Sequence, residues 1–351
     1  MNDEAKVEII VDVDRLKYPY SGMFYYCDQL AKNLADQSKY IVTFYKHAKT
    51  SLAKGSKFIN IKSMDVFFLK PQKKYKLWHT TSQLSSRIPL KPIKLVFTIH
   101  DVNFLYSNKP DWKKKRELNK MQRKINRADY LTFISRFTYL DVKKNLNIEG
   151  KKYKIIYNGV NLTKYPDFTT PSYKPATKFL FNLGVVTTKK NVHSCLALLK
   201  NTNYSLVISG MDKDLEYKNK ILDEAKKQGV SDKILITGPI SDEEKYWYLN
   251  NCEAFIFPSL SEGFGIPPIE SMQLGKPTFL SNLTSLPEIG GPHAYYFESF
   301  NENHMQDVFL KGMEDYRTNN RKEAIVNWAN QFSWEKATQE YLNVYHETLL
   351  I

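Results

Sequence analysis

The sequence predicts an α/β chain made of two doubly wound domains, and three observations carry that prediction. Its 351 residues divide into two domains of ordinary size at roughly 150 residues each. Short β-rich runs alternate with helical patterns up to about Asn301, the order that gives a parallel sheet covered on both faces. Between the halves lies YNGVNLTKYPDFTTPSYKPATK, residues 157–178, rich in Pro, Thr and Asn and lacking apolar periodicity, which reads as a linker. The expected boundaries are residues 1–160, 161–332 and a terminal helix over 333–351.

Val7, Ile9, Val11 and Val13 alternate, YPYSGM interrupts them, and a helical run covers residues 24–34: strand, turn, helix. Further strand-like runs lie at residues 41–45, 76–79, 95–100, 131–134 and 154–157. In the second half Phe179–Leu183 leads to Gly184, residues 206–209 to Gly210, 234–237 to Gly238, and Ala254–Phe257 to Pro258, each followed by a helical pattern. Beyond Asn301 the chain reads as helix, closing on WEKATQEYLNVYHETLLI with Ser333 as N-cap. Ligands of open α/β sheets bind beyond the carboxyl ends of the strands, so two such domains facing one another imply a cleft lined by their loops.

Apolar residues make up 42% and charged residues 25%, which argues against disordered, collagen-like or disulfide-scaffold classes. Cys27, Cys195 and Cys252 are odd in number and widely spaced, the usage of a reducing cytoplasm. The acidic start MNDEAKVEIIVDVD lacks the pattern of a signal peptide, and no apolar run reaches the length of a spanning helix. A cytoplasmic protein is therefore expected, peripheral on the inner face of the plasma membrane if its basic half binds lipid.

Net charge is +14, yet residues 1–158 hold 32 Lys and Arg against 14 Asp and Glu, while the remainder holds 19 against 23. The basic surplus belongs to the first half alone. It is densest from Lys109 to Asp129, where Leu118, Met121, Ile125 and Ala128 recur at helical spacing and Lys113, Lys114, Lys115, Arg116, Lys120, Arg123, Lys124 and Arg127 occupy the rest of the surface. Such a helix is a solvated face, a dock for an anionic leaflet, or a polyanion site. With no RNA-binding sheet motif, zinc finger or helix-turn-helix in the chain, no nucleic-acid partner is expected.

The densest chemistry lies in PSLSEGFGIPPIESMQLGKP, from Pro258 to Pro277. Gly263 and Gly265 free the backbone after a buried strand, and Pro267 and Pro268 suit the first turn of the next helix. A glycine turn at a helix N-terminus binds phosphate or a developing anion. Glu262 before the turn and Glu270 one turn into the helix can accept from sugar hydroxyls; taken singly, they also read as a dipole partner and a solvated helix residue. Asp12-Val13-Asp14 has the form of an Asp-x-Asp metal motif, but 18 Asp make about one such triplet by composition and it sits on the first strand. No metal is expected.

EGFGIPPIE resembles the signature of retaining glycosyltransferases of family 4, which have the GT-B fold of two Rossmann-like domains. FNLGVVTTKKN, IIYNGVN, SLPEIGG, FTIHDVNFL and ADYLTFISRFTYLDV resemble further family segments in the same order. The resemblance implies that Glu270 binds the ribose of a nucleotide-diphosphate sugar, GDP- or UDP-linked, and that Glu262 contacts the transferred sugar. It further implies that Gly263 and the amides of Phe264, Gly265 and Ile266 approach the sugar and diphosphate, that Lys189 and Lys190 hold the leaving group, and that Gly22, Gly184 and Gly238 lie in donor loops. His100 would contact the donor sugar, and Asp101 would orient the loop or His100. Many relatives carry Arg after the glycine matched by Gly184; Val185 stands here, so the second phosphate contact must come from Lys189 or from elsewhere. The family's last helix returns to the first domain.

His79, at the end of another strand, Ser82 and Asp101 are candidates for an acceptor pocket. The implied function is retaining transfer of mannose or another hexose to a glycan or lipid-linked acceptor, in surface polysaccharide or lipopolysaccharide assembly, with no cofactor. The C-terminal domain would bind donor and the N-terminal domain acceptor. A nucleotide-sugar epimerase or hydrolase on the same fold is the nearest rival, and a non-catalytic polyanion binder the other.

Overall fold

A computed structural model describes residues 6–19, 21–35, 37, 39–46, 49–52, 56–60, 74–85, 87–212 and 214–351. Tyr20 of the first turn, and residues 1–5 on which the signal-peptide reading leans, lie outside that set.

In the first half the alternating valines form β1 (Val7–Asp12), and Ser21 Oγ accepts the Phe24 N–H at 3.1 Å at the start of α1 (Gly22–Ala35). Then follow β2 (Tyr40–Lys46), β3 (Lys57–Asn60), β4 (Tyr75–Thr80), β5 (Lys94–Ile99), α2 (Asp111–Arg127), β6 (Tyr130–Phe133), α3 (Arg136–Asn145) and β7 (Lys152–Ile155). The described strands pair in parallel in the order β3-β2-β1-β4-β5-β6-β7. The edge strand β3, sequence KFIN, was not anticipated: it is short and mostly exposed, so no alternation marks it.

The second half runs β8 (Phe179–Leu183), β9 (Ser205–Ser209), α4 (Leu215–Lys227), β10 (Ile234–Gly238), α5 (Asp242–Asn251), β11 (Ala254–Phe257), α6 (Ile266–Gln273), β12 (Thr278–Ser281), α7 (Leu286–Gly290) and β13 (Tyr295–Phe297). Its sheet is also parallel, ordered β10-β9-β8-β11-β12-β13. Helices α8 (Glu302–Thr318), α9 (Lys322–Ala329) and α10 (Trp334–Leu350) close the chain, and Ser333 Oγ caps α10 by accepting the Lys336 N–H at 3.2 Å.

Successive strand residues enter opposite apolar layers, as buried parallel strands require. In the first sheet Ile9 and Val11 join Leu30 of α1, whereas Ile10 joins Trp78, Phe97 and Ile125. In the second, Leu180 and Ile256 face Leu196 and Ile221, whereas Phe181, Phe255 and Phe257 face Tyr248. The chain divides into two compact units, Met1–Gly159 with Ser333–Ile351, and Val160–Phe332. Helix α10 thus belongs to the N-terminal unit, where Trp334, Tyr341 and Tyr345 are buried in the same layer as Ile9 and Tyr26.

Candidate active site

The order of the second sheet reverses between β8 and β11, and open α/β sheets hold ligands at such a switch point. The loop after β8 carries Gly184, Lys189 and Lys190; the loop after β11 carries Glu262 to Ile266. A backbone bond from Leu260 N–H to Lys189 O, 2.9 Å, joins the two loops. Close approach of chains governs the glycines behind them. Gly210, after β9, has φ +140°, and a Cβ there would collide with the Gly184 carbonyl oxygen.

Lys190 Nζ lies 2.6 Å from Glu262 Oε1 and 4.6 Å from the centroid of the Phe257 ring. Burial alone would push the Glu262 carboxyl up, but the charges of Lys190 and Lys189 outweigh it and hold the pKa below the usual carboxylate value. Lys189 itself is exposed. Thr284 and the first residue of SLPEIGG fix the glycine turn from behind: Thr284 Oγ1 accepts the Glu262 N–H at 3.0 Å, and Ser285 Oγ donates to Glu262 O at 3.1 Å and Phe264 O at 2.6 Å. The Phe264 ring is buried against Phe332. Gly265 is the N-cap of α6 at φ +134°. Pro267 and Pro268 lack N–H groups, so the donors at this helix end are the amides beside Gly265 and Ile266.

Glu270, in the second turn of α6, is 3% exposed, and its Oε1 accepts from Lys245 Nζ at 2.9 Å. Lys245 also lies 3.2 Å from Asp242 Oδ1. Burial disfavours the Lys245 cation, yet Glu270 and Asp242 together raise its pKa above the ordinary value. Sequence reasoning missed Lys245, because nothing in the spacing of residues 242–245 points to a helix packed against theirs. Gly238 ends β10 at φ +75°, and its carbonyl accepts the Gly210 N–H at 2.9 Å.

In the N-terminal unit His100 follows β5. Its Nε2 is 2.8 Å from the Thr81 carbonyl oxygen, which fixes the proton there, and burial lowers its pKa and keeps it neutral. The ring stands edge-on to Tyr26 at 4.6 Å. Asp101 Oδ1 accepts the Asn103 N–H at 2.9 Å and shapes the loop. Gly22 heads α1, where a Cβ would meet nothing within 4 Å.

Two acceptor candidates are corrected. His79 is wholly buried, with Nδ1 2.8 Å from Tyr345 Oη and Nε2 2.7 Å from Thr98 Oγ1, so both ring nitrogens are used beneath α10 and burial depresses its pKa to about 3. Ser82 is 1% exposed, and its hydroxyl accepts the Leu84 N–H at 3.1 Å in a tight turn.

The Asp-x-Asp triplet is also structural. Asp12 accepts from Ser85 Oγ at 2.5 Å and from the Asp14 N–H at 3.1 Å, while Asp14 binds the Arg15 guanidinium through both oxygens at 2.6 and 2.8 Å. Among the described residues no cluster of three or more His, Cys, Asp or Glu is placed to hold a metal ion.

The basic helix α2 is less uniform than its sequence suggests. Lys113, Lys115, Arg116, Lys120 and Arg123 are exposed, Lys114 half-buried, and Trp112 is 61% exposed with Lys113 Nζ 5.2 Å from its ring centroid. Lys124 and Arg127 turn inward, which corrects their place on a lipid-facing surface. Lys124 donates to Gln83 O and Ser85 O at 2.6 and 2.5 Å, and Arg127 donates to Pro89 O at 3.0 Å and Ile93 O at 2.5 Å. No helix among the described residues is long and apolar enough to cross a membrane.

Residues 170–330 match the family described as Glycosyl transferases group 1, and residues 68–164 that described as Glycosyltransferase Family 4. The serotype-specific mannosyltransferase WbdA of Escherichia coli is 28% identical over 270 residues, covering 69% of this chain but 32% of that protein. The chain thus spans about a third of that relative's length. The O-antigen chain mannosyltransferase RfbU of Salmonella typhimurium is 24% identical over 258 residues, 66% of this chain and 68% of RfbU. Among solved structures, sucrose-phosphate synthase from Thermosynechococcus elongatus superposes with TM-score 0.77 at 15% identity, covering 97% of this chain and 99% of that one. Anabaena Alr3699/HepE in complex with UDP-glucose does so with TM-score 0.71 at 14% identity, covering 97% and 99%. These likenesses give the two-domain GT-B fold.

Proposed function

Since the chain belongs to the group 1, family 4 glycosyltransferases, we propose that it transfers a hexose from a nucleotide-diphosphate sugar to a glycan or lipid-linked hydroxyl in surface polysaccharide or lipopolysaccharide assembly. The observation that carries this reading is the pairing of a cation with each of two carboxylates, Lys190 with Glu262 and Lys245 with Glu270, at one switch point. Mannose is the favoured sugar because WbdA and RfbU are named mannosyltransferases; the HepE complex holds UDP-glucose, so GDP and UDP donors both enter the test.

In this reading the C-terminal unit binds the donor and the N-terminal unit the acceptor. Glu270 accepts from the ribose, and Glu262 from hydroxyls of the sugar. Gly184, Gly238 and Gly263 let backbone approach the ligand, and the amides at Phe264, Gly265 and Ile266 meet the diphosphate. As the sugar–phosphate bond breaks, charge builds on the leaving oxygen, and Lys190 with Lys189 stabilises it. Transfer with retention follows if the leaving phosphate takes the acceptor's proton on the same face. His100, neutral with its proton on Nε2, offers Nδ1 to a sugar hydroxyl, Asp101 sets its loop, and Gly22 opens α1 at the donor loop.

The test is transfer of radiolabel from GDP-mannose and UDP-hexoses to membrane extracts and oligosaccharide acceptors. Acceptor-dependent product supports the reading, whereas donor consumption that ignores acceptor supports the hydrolase or epimerase alternative. The exposed cations of α2 around Trp112 favour a peripheral site on the cytoplasmic face of the plasma membrane, since an aromatic ring among cations suits an anionic lipid surface.

A further inference from the structure

We infer that Lys245 is a positioning residue that makes Glu270 selective for ribose. This inference rests on the proposed ribose contact of Glu270. Glu270 is nine-tenths or more buried, and its carboxylate has one charged partner among the described residues, Lys245 Nζ, at Oε1. The ammonium engages Oε1 and not Oε2. A carboxylate withdrawn from water and left without a partner is costly to bury and turns away. The ammonium reaching over from α5 prevents this. It fixes the rotamer through Oε1 and leaves Oε2 to accept from a donor hydroxyl.

The same ion pair addresses a problem of charge. A lone anion on α6 would repel the diphosphate proposed to lie at the N-terminus of that helix, and Lys245 offsets it. The ammonium is itself braced by Asp242, 3.2 Å away in the first turn of α5. A ribose with its hydroxyls meets an acceptor held in place; a deoxyribose leaves that acceptor buried and unpaired, which is costly.

Calorimetric titration with GDP, UDP and their 2′-deoxy and 2′,3′-dideoxy analogues tests this on the full chain, using Lys245→Met, Lys245→Arg and Glu270→Ala, with melting temperature and donor KM and kcat measured beside it. The expected result for Lys245→Met is about 10–100-fold weaker binding of the ribonucleotide, a ratio of ribo- to deoxy-affinity falling towards one, and a rise in KM larger than the fall in kcat. Lys245→Arg restores most of the preference. Adding Lys245→Met to Glu270→Ala changes affinity little. If the wild type binds and Glu270→Ala does not, but Lys245→Met keeps the full preference, the Lys245 inference is overturned alone; a lowered melting temperature with the preference intact does the same. If Glu270→Ala binds like the wild type, the ribose contact itself is wrong and the inference goes with it. Should Lys245→Met fail to fold, an unrescued preference in Lys245→Arg overturns it.

Discussion

Lys190 and Glu262, 72 residues apart in sequence, meet at 2.6 Å with side chains 17% and 14% exposed. The pair ties the loop after β8 to the loop after β11, so either partner positions the other before any ligand arrives. Lys190→Met should lower sugar transfer by at least about 100-fold. A double-mutant cycle with Glu262→Gln should give a coupling of about 1–3 kcal/mol in stability. Independent, additive effects measured by urea unfolding would show that the contact does not organise the site.

Gly210 is the steric gatekeeper of the same place. Gly210→Ala puts a Cβ into the Gly184 carbonyl at a backbone φ of +140°. The variant should lose more than about 2 kcal/mol of stability and bind nucleotide more weakly. Gly22→Ala, where nothing lies within 4 Å of the new Cβ, should leave the melting temperature unchanged.

Asp12 gives the N-terminal unit a pH signature. Burial first, and then the charge of Asp14, raise its pKa to about 7. The folded state keeps this proton where the unfolded chain, with a carboxyl near its usual value of about 4, has released it. The stabilisation is full below that unfolded value and is lost as pH rises through about 7. Asp12→Asn cannot ionise, so its melting temperature relative to the wild type should rise by several degrees between pH 5 and pH 8. A constant difference would contradict the assigned burial.

The cations of α2 should separate into two groups. Lys124→Ala removes the donor to Gln83 O and Ser85 O and should lower thermal stability without changing vesicle binding. Reversing the charge of Lys113, Lys114 and Lys115 should weaken sedimentation with anionic vesicles at unchanged melting temperature. Equal binding by the reversed variant would remove the membrane surface.

Much of the fold was legible because buried parallel strands are short, mostly apolar runs ended by glycine or proline: Phe179–Leu183 and Ala254–Phe257 have the bounds the sequence suggested. β3 was not, since KFIN at an edge buries little. Among candidate site residues, Glu262 and the glycine turn were readable as a local motif, and Lys190 only through the family resemblance. His79 and His100 looked alike, each following a β-branched or aromatic run. What separates them is Tyr345, which arrives on α10 from 266 residues further along to occupy His79 Nδ1. The inward turn of Lys124 and Arg127 likewise depends on carbonyls of residues 83–93, which no helical periodicity reveals. Lys245 was invisible for the same reason: its partner is on another helix.

The most direct measurement is calorimetric titration of the wild type, Lys190→Met and Glu262→Ala with GDP, UDP and the corresponding sugar nucleotides. Saturable one-to-one binding by the wild type, weakened at least tenfold in Lys190→Met for the diphosphates and lost for the sugar-specific part in Glu262→Ala, is the predicted result. Absence of binding by every nucleotide, or affinities that ignore both substitutions, would contradict a nucleotide-sugar site at the β8–β11 switch point.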